Sequence, residues 1–486
     1  MRQPFSRQRR LDCKSPENVS LNFECRHEII PVLRSLQHIY SQATLRDKVL
    51  ELVAQDVNRD CRDDCGRPGM DYWQILVLSS VRLGCDLDYD ALQDLAEQHR
   101  ALRQIMGLGD WDDESFHFRR IHDNICLVRP QTIEAIDRLI LAEGHRLAPE
   151  APKKIRADSF VVETNIHYPS ESSLIRDGVR KVIELAVAQA EAWDLSGWRQ
   201  HQHLLEKVRK LARRIERIAS RKGPDYQTRL KKPYRQLLQV SGKILRKARV
   251  LCEQLDALDR APSVVFKAQE IRTFMERTQQ VRDTARRRVL HGEKVPNEDK
   301  LFSIFEPHTQ LYKRGKAGEP EQFGRLLLVY EDAAGFVVHH HLLPRDKGDK
   351  DVIVKQTQTL QEFLKGMMES LSLDRGFHSP DNQVQLMQIV KHPCLPKPGA
   401  KQAAQQEKLA TVQFRQARQR HPGIESAIGA LQSGNGLKRC RDHTEIGFER
   451  YLALALLGRN LHTLGRLLIA QQAPQSLAAQ SQRKAA

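Results

Sequence analysis

Apolar residues recur at helical spacing from Glu28 to about Leu147, with polar punctuation between the repeats. GMDYWQILVLSSVRLGC (69–85) predicts a strongly apolar helix, DLDY (86–89) a turn with an Asp cap, and DALQDLAEQHRALRQIM (90–106) a second helix. This pair has the outline of a helix-turn-helix, and equally of an all-helical packing or dimerisation domain. The next segment, KKIRADSFVVETNIHYPSES (153–172), reads as a short apolar strand with Asp158 set into it. From Val179 to about Leu290 there is no strand signal. Leu204, Val208, Leu211, Ile215 and Ile218 recur at alternating steps of four and three, and Leu237, Ile244, Leu251 and Leu258 at steps of seven. KGPD (222–225) separates the two runs, and Pro233 suits the first turn of the second helix, so the pattern predicts a helical hairpin.

Beta character returns at Leu301. FGRLLLVYEDAAGFVVHHHLL (323–343) carries two apolar runs about a turn and reads as a hairpin, and DKGDKD (346–351) then caps a helix. SLSLDRGFHSPDNQVQLMQIV (370–390) gives a brief strand ending on Asp374, a Gly turn, a Ser379-Pro380 helix start and a further apolar end. The fold class expected is mixed α+β: a sheet flanked by helices whose first strand is separated from the others by an insertion. The expected domains are helical residues 1–150, a core of 151–178 and 300–470, a helical insertion at 179–299, and a Gln-, Ala- and Ser-rich disordered tail at 471–486.

Charge sharpens this outline. The 486 residues carry a formal net charge of +17, and positions 201–250 alone hold 16 Lys or Arg against 3 Asp or Glu. Such an excess suits a polyanionic partner, because cations that neutralise phosphates release condensed counterions. A solvated charged face is the plainer reading of the same run. On the outer faces of the predicted hairpin, Lys207, Arg209, Lys210, Arg213, Arg214, Lys231, Lys232, Arg235, Lys243, Arg246 and Lys247 are the candidate DNA contacts. Nine cysteines without framework spacing read as reduced cytosolic thiols; Cys61 and Cys65 have no second ligand pair at zinc-finger distance. The N-terminal segment lacks the apolar stretch of a signal peptide, and YLALALLGRNLHTLGRLLIA (451–470) contains Arg459, Asn460, His462 and Arg466, so it reads as a buried helix and not a membrane span. No phosphate-cradling glycine motif occurs, so no nucleotide cofactor is expected.

Two strands ending on aspartates pose a chemical problem. Neighbouring carboxylates repel unless one is protonated or a cation lies between them, and Mg²⁺ accepts one or two carboxylates while leaving room for substrate phosphate. By itself, each of Asp158 and Asp374 also reads as an ordinary turn or edge residue. His339, His340 and His341 alternate faces along a strand and read as satisfied strand histidines; Glu163 reads as a surface residue on the face opposite Asp158.

RADSFVVETNIHYPSESSLIRDGVR (156–180), YKRGKAGEPEQFGRLLLVYEDAAGFVVHHHLL (312–343), LDRGFHSPDN (373–382) and HPGIESAIGALQSGNGLKRCRDHTEIGFERYLALALLGRNLHTLG (421–465) resemble, in this order, the blocks of bacterial insertion-sequence transposases with a DDE core on a ribonuclease-H-like fold. The nearest style is the group filed as not classified yet (ISNCY). GRPGMDYWQILVLSSVRLGCDLDYDALQDLAEQHRALRQIMGL (66–108) is similar to the helical domain preceding that core. The resemblance implies Asp158, Asp374 and Glu425 as the catalytic, metal-binding triad, Asp374 being followed by Arg375, Gly376 and Phe377 as the D-x-G-F/Y motif expects. Glu425 also reads as a first-turn glutamate favoured by a helix dipole, with Glu445 and Glu449 as substitutes for the third carboxylate. The tyrosine, arginine and lysine that accompany the glutamate in some related groups are not at the expected spacing, since positions 418, 421 and 432 are Arg, His and Gln.

The implied activity is cleavage at the ends of an insertion sequence and strand transfer to target DNA. It uses two Mg²⁺ ions, or Mn²⁺, one activating the attacking water or 3′-hydroxyl and the other stabilising the leaving oxygen. The implied partners are double-stranded DNA, as terminal inverted repeats and target, and a second copy of the chain in a dimer, in the bacterial cytoplasm at the nucleoid with no membrane involvement. The competing readings are a catalytically inactive DNA-binding protein of the same fold and a nuclease without strand transfer.

Overall fold

The computed structural model describes residues 13–59, 69–221, 223, 225–258, 262–313, 320–399, 401–402, 406 and 410–485. Among them the chain forms a mixed α+β structure in two compact units, Met1–Asn165 with Leu326–Ala486, and Ile166–Arg325. Cys61 and Cys65 lie outside the described residues. No helix among the described residues is long and apolar enough to cross a membrane.

The first unit opens with α1 (Ile29–Ser41), α2 (Ala43–Val57), α3 (Tyr72–Gly84), α4 (Tyr89–Gln98), α5 (Arg100–Ile105), α6 (Phe118–Ile125) and α7 (Pro130–Leu147), followed by β1 (Lys154–Thr164). Asp71 and Gln74 make a reciprocal capping box at the start of α3, and every residue of that helix is buried. Asp88 caps α4, whose outward positions Asp90, Asp94 and Gln98 share one face, with no Lys or Arg anywhere on the helix. The acidic outer face of α4 repels phosphate, while Arg100 and Arg103 follow on α5.

After the second unit, the first resumes through β3 (Gln322–Glu331), β4 (Val337–Leu342), α12 (Asp349–Phe363), β5 (Ser370–Ser372), α13 (Pro380–Ile389), β6 (His392–Cys394), α14 (Val412–Arg420), α15 (Gly423–Gly434), β7 (Arg439–Cys440) and α16 (Glu445–Ala485). The sheet follows the order β2–β3–β1–β5–β6, where β2 is Gln310–Tyr312; β4 pairs with β3, and β7 with β1. The β3–β4 hairpin is antiparallel, whereas β5 runs parallel to both β1 and β6. Long, apolar β1 takes the middle of this sheet, with Phe160, Val161 and Val162 all buried.

Helix α16 packs against α1, α3 and α7, which is why the apolar run from Tyr451 is buried nearly all round. Gly458 permits the close approach to α3: a Cβ there would stand 2.6 Å from the Gly84 nitrogen. Within this interface Asn460 is fully buried, donates to both Asp137 oxygens at 2.9 and 3.1 Å, and exchanges hydrogen bonds with the Val337 backbone. Helix α16 runs to Ala485.

The second unit contains α8 (Glu171–Ala192), α9 (His201–Arg221), α10 (Tyr226–Leu258), α11 (Pro262–Ala285) and β2. Helices α9 and α10 form the expected hairpin, and α8 and α11 pack with it. Helix α10 meets α8, α9 and α11, so it buries Leu238, Leu245, Ala248 and Leu255 beside the seven-residue seam of Leu237, Ile244 and Leu251. Pro233 stands inside α10 and not in its first turn, because the helix starts at Tyr226, directly after Asp225 in a left-handed conformation.

Candidate active site

Register places the first two candidate carboxylates. In the parallel β1–β5 ladder Lys154 pairs with Ser370, Ile155 with Leu371 and Arg156 with Ser372. Asp158, within β1, and Asp374, just past the end of β5, each lie two residues beyond the last of these pairs. Alternation puts Asp158 on the face of Arg156. Asp158 is half-buried and accepts the Ser159 amide at 2.7 Å; Asp374 is exposed, at the edge where β5 gives way to the turn Arg375–Phe377.

The third comes from the α14–α15 corner. Ile424, Ala427, Ile428 and Leu431 face the interior, so the first turn of α15 turns Glu425 outward. Arg156 fixes this corner to the sheet. Its Nε donates to Glu331 at 2.5 Å and its Nη1 to the Arg420 carbonyl at 3.2 Å. Gly423 sits directly over that guanidinium, where a Cβ would fall 2.0 Å from Nη1. Next to it the His421 ring lies 3.3 Å from Ser372 Oγ. Burial holds the His421 pKa below its ordinary value against the opposing pull of the Asp374 and Glu425 charges, so one imidazole lies in electrostatic range of both carboxylates.

Glu445 and Glu449, the substitutes, belong to the opening turns of α16, beyond β7. Sequence reasoning does not find Arg156, His421 or Gly423. The available signals are the i, i+2 spacing of Arg156 and Asp158, and a His-Pro-Gly break that by itself marks only a helix boundary.

Among the described residues no three His, Cys, Asp or Glu side chains are gathered as a metal cage. The donors nonetheless suit Mg²⁺, a hard cation that is commonly held by one or two carboxylates and completed by substrate phosphate. The remaining polar candidates have ordinary partners. His339 meets Gln356 at 2.9 Å, with burial pressing its pKa down to about 4, and His340 lies 3.6 Å from Glu134. Glu163 accepts from Arg439 at 3.1 Å across the β1–β7 pairing.

In the second unit, Lys207, Arg209, Lys210, Arg213, Arg214, Lys232, Arg235, Lys243, Arg246 and Lys247 are exposed, and Lys231 is half-buried. Glu206 lies 2.8 Å from Arg209 and 3.7 Å from Lys210, and Lys247 stands over the Trp198 ring. Most of this charge is therefore open to solvent. Comparisons of the chain with protein-family models, curated proteins and solved structures find no match.

Proposed function

We propose that this protein is a DNA transposase of the DDE type, on a ribonuclease-H-like core, that cuts insertion-sequence ends and joins them to target DNA. The observation that carries the reading is the parallel β1–β5 register: Asp158 and Asp374 each follow its last pair, Arg156 with Ser372, by two residues. A central β1 between an antiparallel hairpin, β3–β4, and a parallel pair, β5–β6, supports the reading of such a core. Asp158, Asp374 and Glu425 would hold divalent ions. Such ions supply an activated attacking water and charge stabilisation at the leaving oxygen. Arg156 holds the corner that presents Glu425, and the open basic faces of α9 and α10 neutralise DNA phosphates.

The test is incubation of the full chain with Mg²⁺ and DNA carrying the inverted repeats that flank its own reading frame. Cleavage followed by joining is expected, and Asp158→Asn or Asp374→Asn should each lower cleavage at least about a hundredfold while DNA affinity stays within about twofold. Binding without cleavage would identify a DNA-binding protein, and cleavage without joining a nuclease. Cleavage unchanged in both variants would refute the site.

A further inference from the structure

The second unit contains an open cavity of about 910 Å³ beside the start of α8, lined also by α9, α10 and the segment that follows α11. Its chemistry differs from that of the outer helix faces. Tyr168, Tyr226 and Tyr234 line it; Tyr168 is 72% exposed, whereas Tyr234 is buried and its hydroxyl bonds Ser172. The lining carboxylates are engaged by arginines: Glu171 by Arg288, Glu216 by Arg176 at 3.8 Å, and Glu293 by Arg287 at 2.9 Å. Lys231 and Lys294 add positive charge that these ion pairs do not absorb. Burial, followed by the charges of Arg288 and Lys313, holds the Lys300 pKa below its ordinary value, as expected where the local field is positive. The half-burial of Lys231, alone among the basic candidates of α9 and α10, follows from its place on this wall.

We propose that this cavity binds a short stretch of unpaired DNA, with Lys231, Lys294 and Lys300 on its phosphates and Tyr168 and Tyr226 stacking on its bases. The volume is that of a small-ligand pocket, on the scale of a few nucleotides and not of a long duplex. Cations interleaved with aromatic rings are the combination that recognises a single strand, because every base offers a face to stack on. A site for bare phosphate would not need the tyrosines. The choice of DNA over another polyanion rests on the transposase reading, and the outer faces of α9 and α10 are left to duplex.

Fluorescence anisotropy of the full chain with a labelled single-stranded oligonucleotide, and with the same sequence as a blunt duplex, tests the assignment. Lys231→Glu with Lys294→Glu should weaken single-strand binding at least about tenfold and duplex binding less than about twofold. Lys232→Glu with Lys243→Glu should do the reverse. Tyr226→Ala should cost about tenfold on the single strand, and Tyr226→Phe should restore it by keeping the ring. The proposal is overturned if the outer pair weakens the single strand as much as the cavity pair, or if inorganic phosphate alone displaces the strand at low millimolar concentration. Asp158→Asn, run in parallel, keeps the two readings apart. Metal-dependent cleavage that survives it counts against the transposase and leaves the anisotropy result standing.

Discussion

Arg156 joins parts of the chain that are 175 and 264 residues away, Glu331 and the Arg420 carbonyl, through one guanidinium. Its removal strands Glu331, a carboxylate only 2% exposed whose other cation, Arg459, stands 3.9 Å away. Breaking a buried pair from one side costs about 3–5 kcal/mol, so Arg156→Ala should show a loss of that order in urea unfolding. Gly423→Ala pushes a methyl group into the same guanidinium and should cost about 1–3 kcal/mol as overpacking. The double variant should lose less than the sum, because the clash disappears with the side chain. A fully stable Gly423→Ala protein would contradict the corner described here. Asp158 is legible in the sequence because a carboxylate is out of place in an apolar strand. Arg156 is not, because an arginine two residues earlier looks like ordinary strand alternation and its partners are remote.

The helices of the second unit show what periodicity carries and where it stops. The seams of α9 and α10 are readable from apolar spacing, and Val208, Ile215, Leu237, Ile244 and Leu251 are buried as that spacing requires. The number of helices in the bundle is not readable, because an apolar stripe gives the direction of a partner and not its identity. Strands β2 and β7 span 3 and 2 residues, too few for any alternation to register. Three-residue β5 is found only because Asp374, Gly376, Ser379 and Pro380 punctuate its end. At this scale the exposed cations of α9 and α10 make a quantitative prediction. Replacing Arg213, Arg214, Lys243 and Arg246 with Gln should reduce the slope of log affinity for duplex DNA against log salt by about 0.9 for each phosphate that is no longer neutralised. An unchanged slope would make the run a solvated surface with no nucleic-acid role.

The first unit is assembled from the two ends of the chain. Arg82 binds Asp442 at 2.5 and 3.0 Å across 360 residues, and Asn460 reaches Asp137 across 323. Periodicity cannot reveal such pairings, so residues 1–150, expected as a separate domain, share one compact unit with the sheet and α16. Half-buried His339 and buried His462 should give this unit an acid limit. Burial presses both His339 and His462 from 6.5 down to about 4, so unfolding takes up protons below pH 6.5 and stability is lost as the pH falls from there towards 4. Asp137, raised to about 7 by desolvation, acts in the opposite sense, its cost growing as the pH rises from 3.8 to 7. His339→Gln with His462→Gln should therefore flatten the fall of the urea midpoint between pH 7 and pH 5. An equally steep fall would assign the acid limit to other groups. The most direct measurement of all concerns the carboxylates. With Fe²⁺ in place of Mg²⁺, and ascorbate and peroxide added, metal-generated radicals cut the backbone wherever the ion sits. Cuts are expected near residues 158, 374 and 425 together, suppressed by excess Mg²⁺ and abolished in Asp374→Asn. Cuts confined to other regions, or cuts that ignore that substitution, would contradict a shared metal site.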